Sequence, residues 1–96
     1  MTIPKKGSRT TRVDDLRYRW KANQSVKADI TVFTAHLDKE PADSTLRVTM
    51  AVAHCDVVTP EVAENLIRGA RGLGWNPLAK GLFEIDADQA IPILGG

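Results

Sequence analysis

The stretch Val58-Thr59-Pro60-Glu61-Val62-Ala63-Glu64-Asn65-Leu66-Ile67-Arg68-Gly69-Ala70-Arg71-Gly72-Leu73-Gly74-Trp75-Asn76-Pro77 decides the fold. Thr59 is placed to cap a helix, Pro60 suits its first position, and Glu61 sits at the positive end of the helix dipole. Val62, Ala63, Leu66, Ile67, Ala70 and Leu73 recur at three- and four-residue spacing, with Glu61, Glu64, Asn65, Arg68 and Arg71 opposite. Gly74 fits the left-handed position that ends a helix, and Pro77 prevents its resumption. Trp75 then folds back over Ala70, where Gly69 leaves room.

Upstream of this helix the period changes from 3.6 to two. From Leu16, apolar Leu16, Tyr18 and Trp20 alternate with Arg17, Arg19 and Lys21, which predicts a half-buried strand, and Asn23-Gln24-Ser25 supplies a turn. Asp29 to Leu37 predicts a second strand that is partly apolar on both faces, with Ile30 and Val32 opposing Phe33, Ala35 and Leu37. A polar loop from Asp38 to Ser44 leads to a third strand over Thr45–Ala53, with Leu46, Val48, Met50 and Val52 on one face. Downstream, Leu82 to Ala87 alternates again, with Phe83 and Ile85 inward.

The expected fold is α+β, an antiparallel or mixed four-stranded sheet with one helix on one face, in the order β-β-β-α-β. Residues 1–12, polar, basic and aperiodic, read as a flexible arm, 13–90 as a single domain, and 91–96 as a carboxyl-terminal tail. The expected core between sheet and helix is Leu16, Tyr18, Trp20, Val48, Met50, Leu66, Ile67 and Phe83.

Arg12-Val13-Asp14-Asp15-Leu16-Arg17-Tyr18-Arg19-Trp20, Val58-Thr59-Pro60-Glu61-Val62 and Gly74-Trp75-Asn76-Pro77, closed by Phe83-Glu84-Ile85, together resemble a group of short hypothetical bacterial proteins. The group opens on an RYRW-like strand and closes with a TP-capped helix, a GW-x-P turn and a short strand; some chains of this size look like integron gene cassette products. The resemblance covers roughly half the chain. It implies a shared fold and hands over no catalytic residues.

The net charge of +1 conceals an asymmetry, since residues 1–27 carry eight basic and two acidic side chains and the remainder five basic and ten acidic. A basic segment of this kind binds polyanions or pairs with the chain's own acidic end. Arg17, Arg19, Lys21 and Arg47 are therefore candidate nucleic-acid contacts, but Tyr18 and Trp20 alternate away from them and are not placed to stack on bases.

Cys55 is the only cysteine, which excludes an intramolecular disulfide. His54-Cys55-Asp56, with His36 on the preceding strand, is the one cluster of nucleophile or ligand chemistry. Neighbours on a strand point to opposite faces, so His54 and Cys55 diverge, and no paired zinc-ligand spacing occurs. Cys55 reads as a half-buried residue ending a strand, and neither catalytic nor metal residues, nor a cofactor, are expected.

The basic start lacks the apolar run of a signal peptide, and no stretch approaches the length of a membrane span, so a cytoplasmic location is expected without membrane contact. Gly95-Gly96 resembles the reactive end of ubiquitin-like sulfur carriers, although three expected strands precede the helix where the β-grasp has a hairpin. One helix covers one sheet face, so Phe33, Ala35, Leu37, Ala51 and Ala53 are expected on the other, as a homodimer interface. The function that follows is a non-enzymatic binding or protein-interaction module that self-associates. A nucleic-acid binder and a sulfur carrier are the alternatives.

Overall fold

Thr59 caps the helix as its position requires: its Oγ1 accepts from the Val62 N–H at 3.2 Å, and helix α1 runs Pro60–Gly72. At the other end Gly74 takes φ +114°, and the Trp75 N–H reaches back to the Ala70 carbonyl at 2.9 Å. Ala63, Leu66, Ile67 and Ala70 form its buried stripe.

The computed structural model describes residues 9–25, 27–38, 44–52 and 57–94. In them the expected α+β class holds with more elements than expected. Strands β1 (Arg9–Val13), β2 (Leu16–Ser25), β3 (Ile30–Leu37), β4 (Ser44–Ala51) and β5 (Gly81–Ile85) form one mixed sheet in the order β1-β2-β3-β4-β5. The first four make an antiparallel meander, and β5 joins β4 in parallel after the crossover through α1. A second helix, α2, spans Ala87–Ile93. None of the described helices is long and apolar enough to cross a membrane.

The fifth strand corrects the arm expected over residues 1–12, because Arg9 to Arg12 pair with β2 from Trp20 to Arg17. The cause is Asp14-Asp15, whose φ angles of 52° and 67° form a two-residue left-handed loop. Such a loop matches the twist of a hairpin. The turn expected at Asn23-Gln24-Ser25 is likewise corrected: these residues pair with Val32, Thr31 and Ile30, and the left-handed residue there is Asp29, at φ 58°. The tail expected over 91–96 begins as helix. Asp86 Oδ1 accepts from the Gln89 N–H at 2.9 Å, and Gln89 Oε1 accepts from the Asp86 N–H at 3.2 Å. That reciprocal cap starts α2 despite Pro92 inside it. Gly95-Gly96 lie outside the described residues.

Directly opposed residues in a ladder share a face. Phe33 lies opposite Ala22 and Val48, and Ala35 opposite Trp20 and Leu46. Tyr18, Trp20, Phe33, Ala35, Leu37, Leu46, Val48 and Met50 are therefore one surface, and all are buried. Both helices pack on this surface, α1 reaching β1 and β4 and α2 reaching β4. Of the expected core, Leu16 and Phe83 are half-buried at its margin and the remaining six are buried within it.

Trp75 closes one side. Its ring centroid is 5.8 Å from that of Tyr18, and its Nε1–H donates to the buried Ser44 Oγ at 2.8 Å. Trp20 packs on Phe33 at 5.7 Å. Each large side chain enclosed in this way contributes about 1.5–3 kcal/mol by leaving water. The two helices meet at Gly69, where a Cβ would stand 2.7 Å from Ile93 Cγ1.

Candidate binding face

The face opposite the helices carries the other alternation of every strand, and no described element packs over it. Its floor is formed by half-buried Ile30, Val32, Thr34, Thr49 and Ala51. Cross-strand register arranges its polar side chains in rows. One row runs Lys21, Thr34, Arg47, Glu84 across four strands. The next holds Thr10, Arg19 and His36, and the one after that pairs Arg12 directly with Arg17.

All four expected cations, Arg17, Arg19, Lys21 and Arg47, thus share one face, and β1 adds Arg12. Lys21 and Arg47 are two strands apart, roughly 10 Å. Along β2 the cations recur every second residue, roughly 6.8 Å apart. Arg12 is the cation of this face that sequence reasoning missed; the two-residue Asp14-Asp15 loop was the available signal, since it folds β1 back beside β2.

The acidic complement is smaller. Asp38 serves two arginines, accepting from Arg19 Nε at 3.1 Å and lying 4.0 Å from Arg17. Glu84 is ion-paired with Arg47. Arg12 and Lys21 make no ion pair among the described residues. Between Arg47 and the start of α2 the face dips into a depression of about 350 Å³ lined by Val32, Arg47, Thr49, Glu84, Ile85 and Asp86. The Arg47–Glu84 pair balances its own charges, and Asp86, which caps α2, leaves the rim with one net negative charge.

Tyr18 and Trp20 lie beneath the helix layer, as the alternation requires, so no aromatic ring from β2 stands beside these cations. Burial pushes the Tyr18 phenol above its ordinary pKa of 10.0, with the nearby Arg71 guanidinium partly offsetting this. Among the described residues neither Tyr18 Oη nor Trp20 Nε1 meets a hydrogen-bond partner at ordinary geometry, although the Arg71 guanidinium lies near the Tyr18 phenol.

The interface expected from the sequence is corrected here. Phe33, Ala35 and Leu37 belong to the helix-covered core, at 0%, 0% and 6% exposure. Ala51 does lie on the open face, half-buried, and Ala53 is outside the described residues. β3 is apolar in both phases, and the pairing with Val48 and Leu46 selects the odd one for the core.

His36 sits on the open face yet is 2% exposed, with Nδ1 2.7 Å from the Leu37 carbonyl. A carbonyl only accepts, so Nδ1 carries the proton in that contact. His54, Cys55 and Asp56 lie outside the described residues, as does any approach of Cys55 to His36. Among the described residues no three His, Cys, Asp or Glu side chains gather as a metal-binding group.

Comparison of the chain with known protein families, curated proteins and solved structures finds no match in any of the three.

Proposed function

We propose that this protein is a non-enzymatic binding module that takes the phosphate backbone of a nucleic acid on its open sheet face. The observation that carries the reading is the gathering of Arg12, Arg17, Arg19, Lys21 and Arg47 from three strands onto that face, against the carboxylates of Asp38 and Glu84. Four of the five are arginines, whose planar forks suit phosphate oxygens. With Tyr18 and Trp20 under the helices, recognition is of backbone charge and not of stacked bases. A two-fold contact through this same face would set five cations against five, so charge favours a polyanion over a second copy here.

The test is fluorescence anisotropy with labelled single- and double-stranded oligonucleotides over a salt series. Engagement of about four cations predicts a slope of log K on log salt of about −3 to −4. The doubly reversed variant Arg17→Glu/Lys21→Glu should lose most of the binding at low salt while keeping its fold. Equal binding by that variant, or none by the parent chain at 50 mM salt, refutes the reading. Displacement by polyglutamate as effective as by oligonucleotide would make the partner an acidic protein instead.

A further inference from the structure

The sheet ends in two edges of unlike character. β1 carries Arg9 and Arg12, and charged side chains are a common protection against edge-to-edge pairing. β5, Gly-Leu-Phe-Glu-Ile, has no lysine, arginine or proline. Its pairing with β4 runs one-to-one from Ser44–Gly81 to Val48–Ile85, without a bulge. Its single charge, Glu84, is held by Arg47. Leu82 within the strand is 53% exposed, and Leu78 in the turn before it is 61% exposed. This edge has the features of a strand left open to receive another.

We propose that β5 pairs with β5 of a second copy, antiparallel about Phe83, joining the two sheets edge to edge. In that register Phe83 meets the partner's Phe83 on the helix side, where it is half-buried in one chain. Leu82 lies opposite the partner's Glu84 on the open side. No two carboxylates stand directly opposed, whereas a register centred on Glu84 would oppose them at a cost. The contact is isologous and closes as a dimer. Pairing of β5 with the basic β1 edge of another copy would instead propagate without end. Two five-residue strands with flanking leucines make a small interface, so association is weak and concentration-dependent.

The register gives a test with opposite signs. Sedimentation velocity from about 10 µM to about 1 mM should show the mass rising from 10.5 kDa toward twice that value. Leu82→Glu places a carboxylate against the partner's Glu84 twice per dimer and should weaken association roughly tenfold. Leu82→Lys places an ammonium there and should preserve or tighten it. The site is exposed, so both variants keep the parent's near-ultraviolet circular dichroism. In the parent chain, amides of 81–85 should gain exchange protection as concentration rises. A mass of 10.5 kDa throughout overturns the proposal. Association that both variants lose equally, or that neither variant changes, places the contact elsewhere and overturns it too.

Discussion

Adding one methyl group to α1 at two positions three residues apart should shift stability in opposite directions. Glycine costs a helix about 0.8–1.0 kcal/mol relative to alanine in its interior. At Gly72, the last residue of α1, an added Cβ meets nothing within 4 Å, so Gly72→Ala should stabilise the protein by up to about 1 kcal/mol. At Gly69 the same Cβ would lie 2.7, 2.8 and 2.9 Å from Ile93 Cγ1, Cδ1 and Cγ2. Ile93 is β-branched and stiff at χ1, so one rotation does not clear all three atoms. Overpacking of this kind costs about 1–3 kcal/mol, which against a propensity gain of about 1 leaves Gly69→Ala neutral to about 2 kcal/mol destabilising. Urea unfolding followed by the fluorescence of the two buried tryptophans, Trp20 and Trp75, measures both. In the double variant Gly69→Ala/Ile93→Ala the clash is gone, and the two changes should couple favourably in a double-mutant cycle. Equal stabilisation by Gly69→Ala and Gly72→Ala would refute the packing of α2 on α1.

Two further substitutions test the hairpin and the core. Asp15→Gly relieves a side chain at φ 67° and should raise stability by about 0.5–1 kcal/mol, read as a higher urea midpoint at unchanged slope. Tyr18→Phe removes a buried hydroxyl that meets no hydrogen-bond partner at ordinary geometry among the described residues, so at pH 7 it should change stability by less than about 1 kcal/mol. Its effect on pH dependence is larger. The Tyr18 pKa is raised in the folded protein, so its contribution is fully present below the unfolded value of 10.0 and is lost as pH rises through the folded value. Thermal melts at pH 9 to 11 should therefore fall less steeply for Tyr18→Phe than for the parent. Parallel curves would refute the burial of the phenol.

How much of this was legible in the sequence depends on how strongly each segment excludes alternatives. α1 was readable because capping, periodicity and the Gly74 stop agree over the whole element. β2 was readable because its cations and aromatics strictly alternate. β3 was readable as a strand but not in phase: Ile30, Val32 and Thr34 are as strand-like as Thr31, Phe33 and Ala35, and only the partners across the ladder break the tie. That one ambiguity misplaced the interface. β1 was hidden because its loop uses two aspartates where glycine or asparagine is the usual signal. α2 was hidden because seven residues with Pro92 inside hold too little periodicity, leaving only the Asp86–Gln89 box to mark it. The basic face was half legible: β2 and β4 declared their cations, and Arg12 joined them only through the hairpin.

The parallel pairing of β5 with β4 has a consequence for the order in which the molecule assembles. β1 to β4 are linked as successive antiparallel neighbours, so the meander grows by short-range closures. β5 reaches β4 only across α1, and contacts such as Arg47–Glu84 join residues 37 apart in the chain, so its pairing carries the largest loop-closure cost in the sheet. α2 follows β5 directly and leans on β4 and α1. Native-state hydrogen exchange should therefore show β5 and α2 opening together below global unfolding, and protection equal to that of β2 and β3 would refute this. When that unit lifts away, β4 becomes the terminal strand, and Leu46, Val48 and Met50 line a newly bared border. Such a border presents unpaired backbone groups and is a template for pairing with another chain.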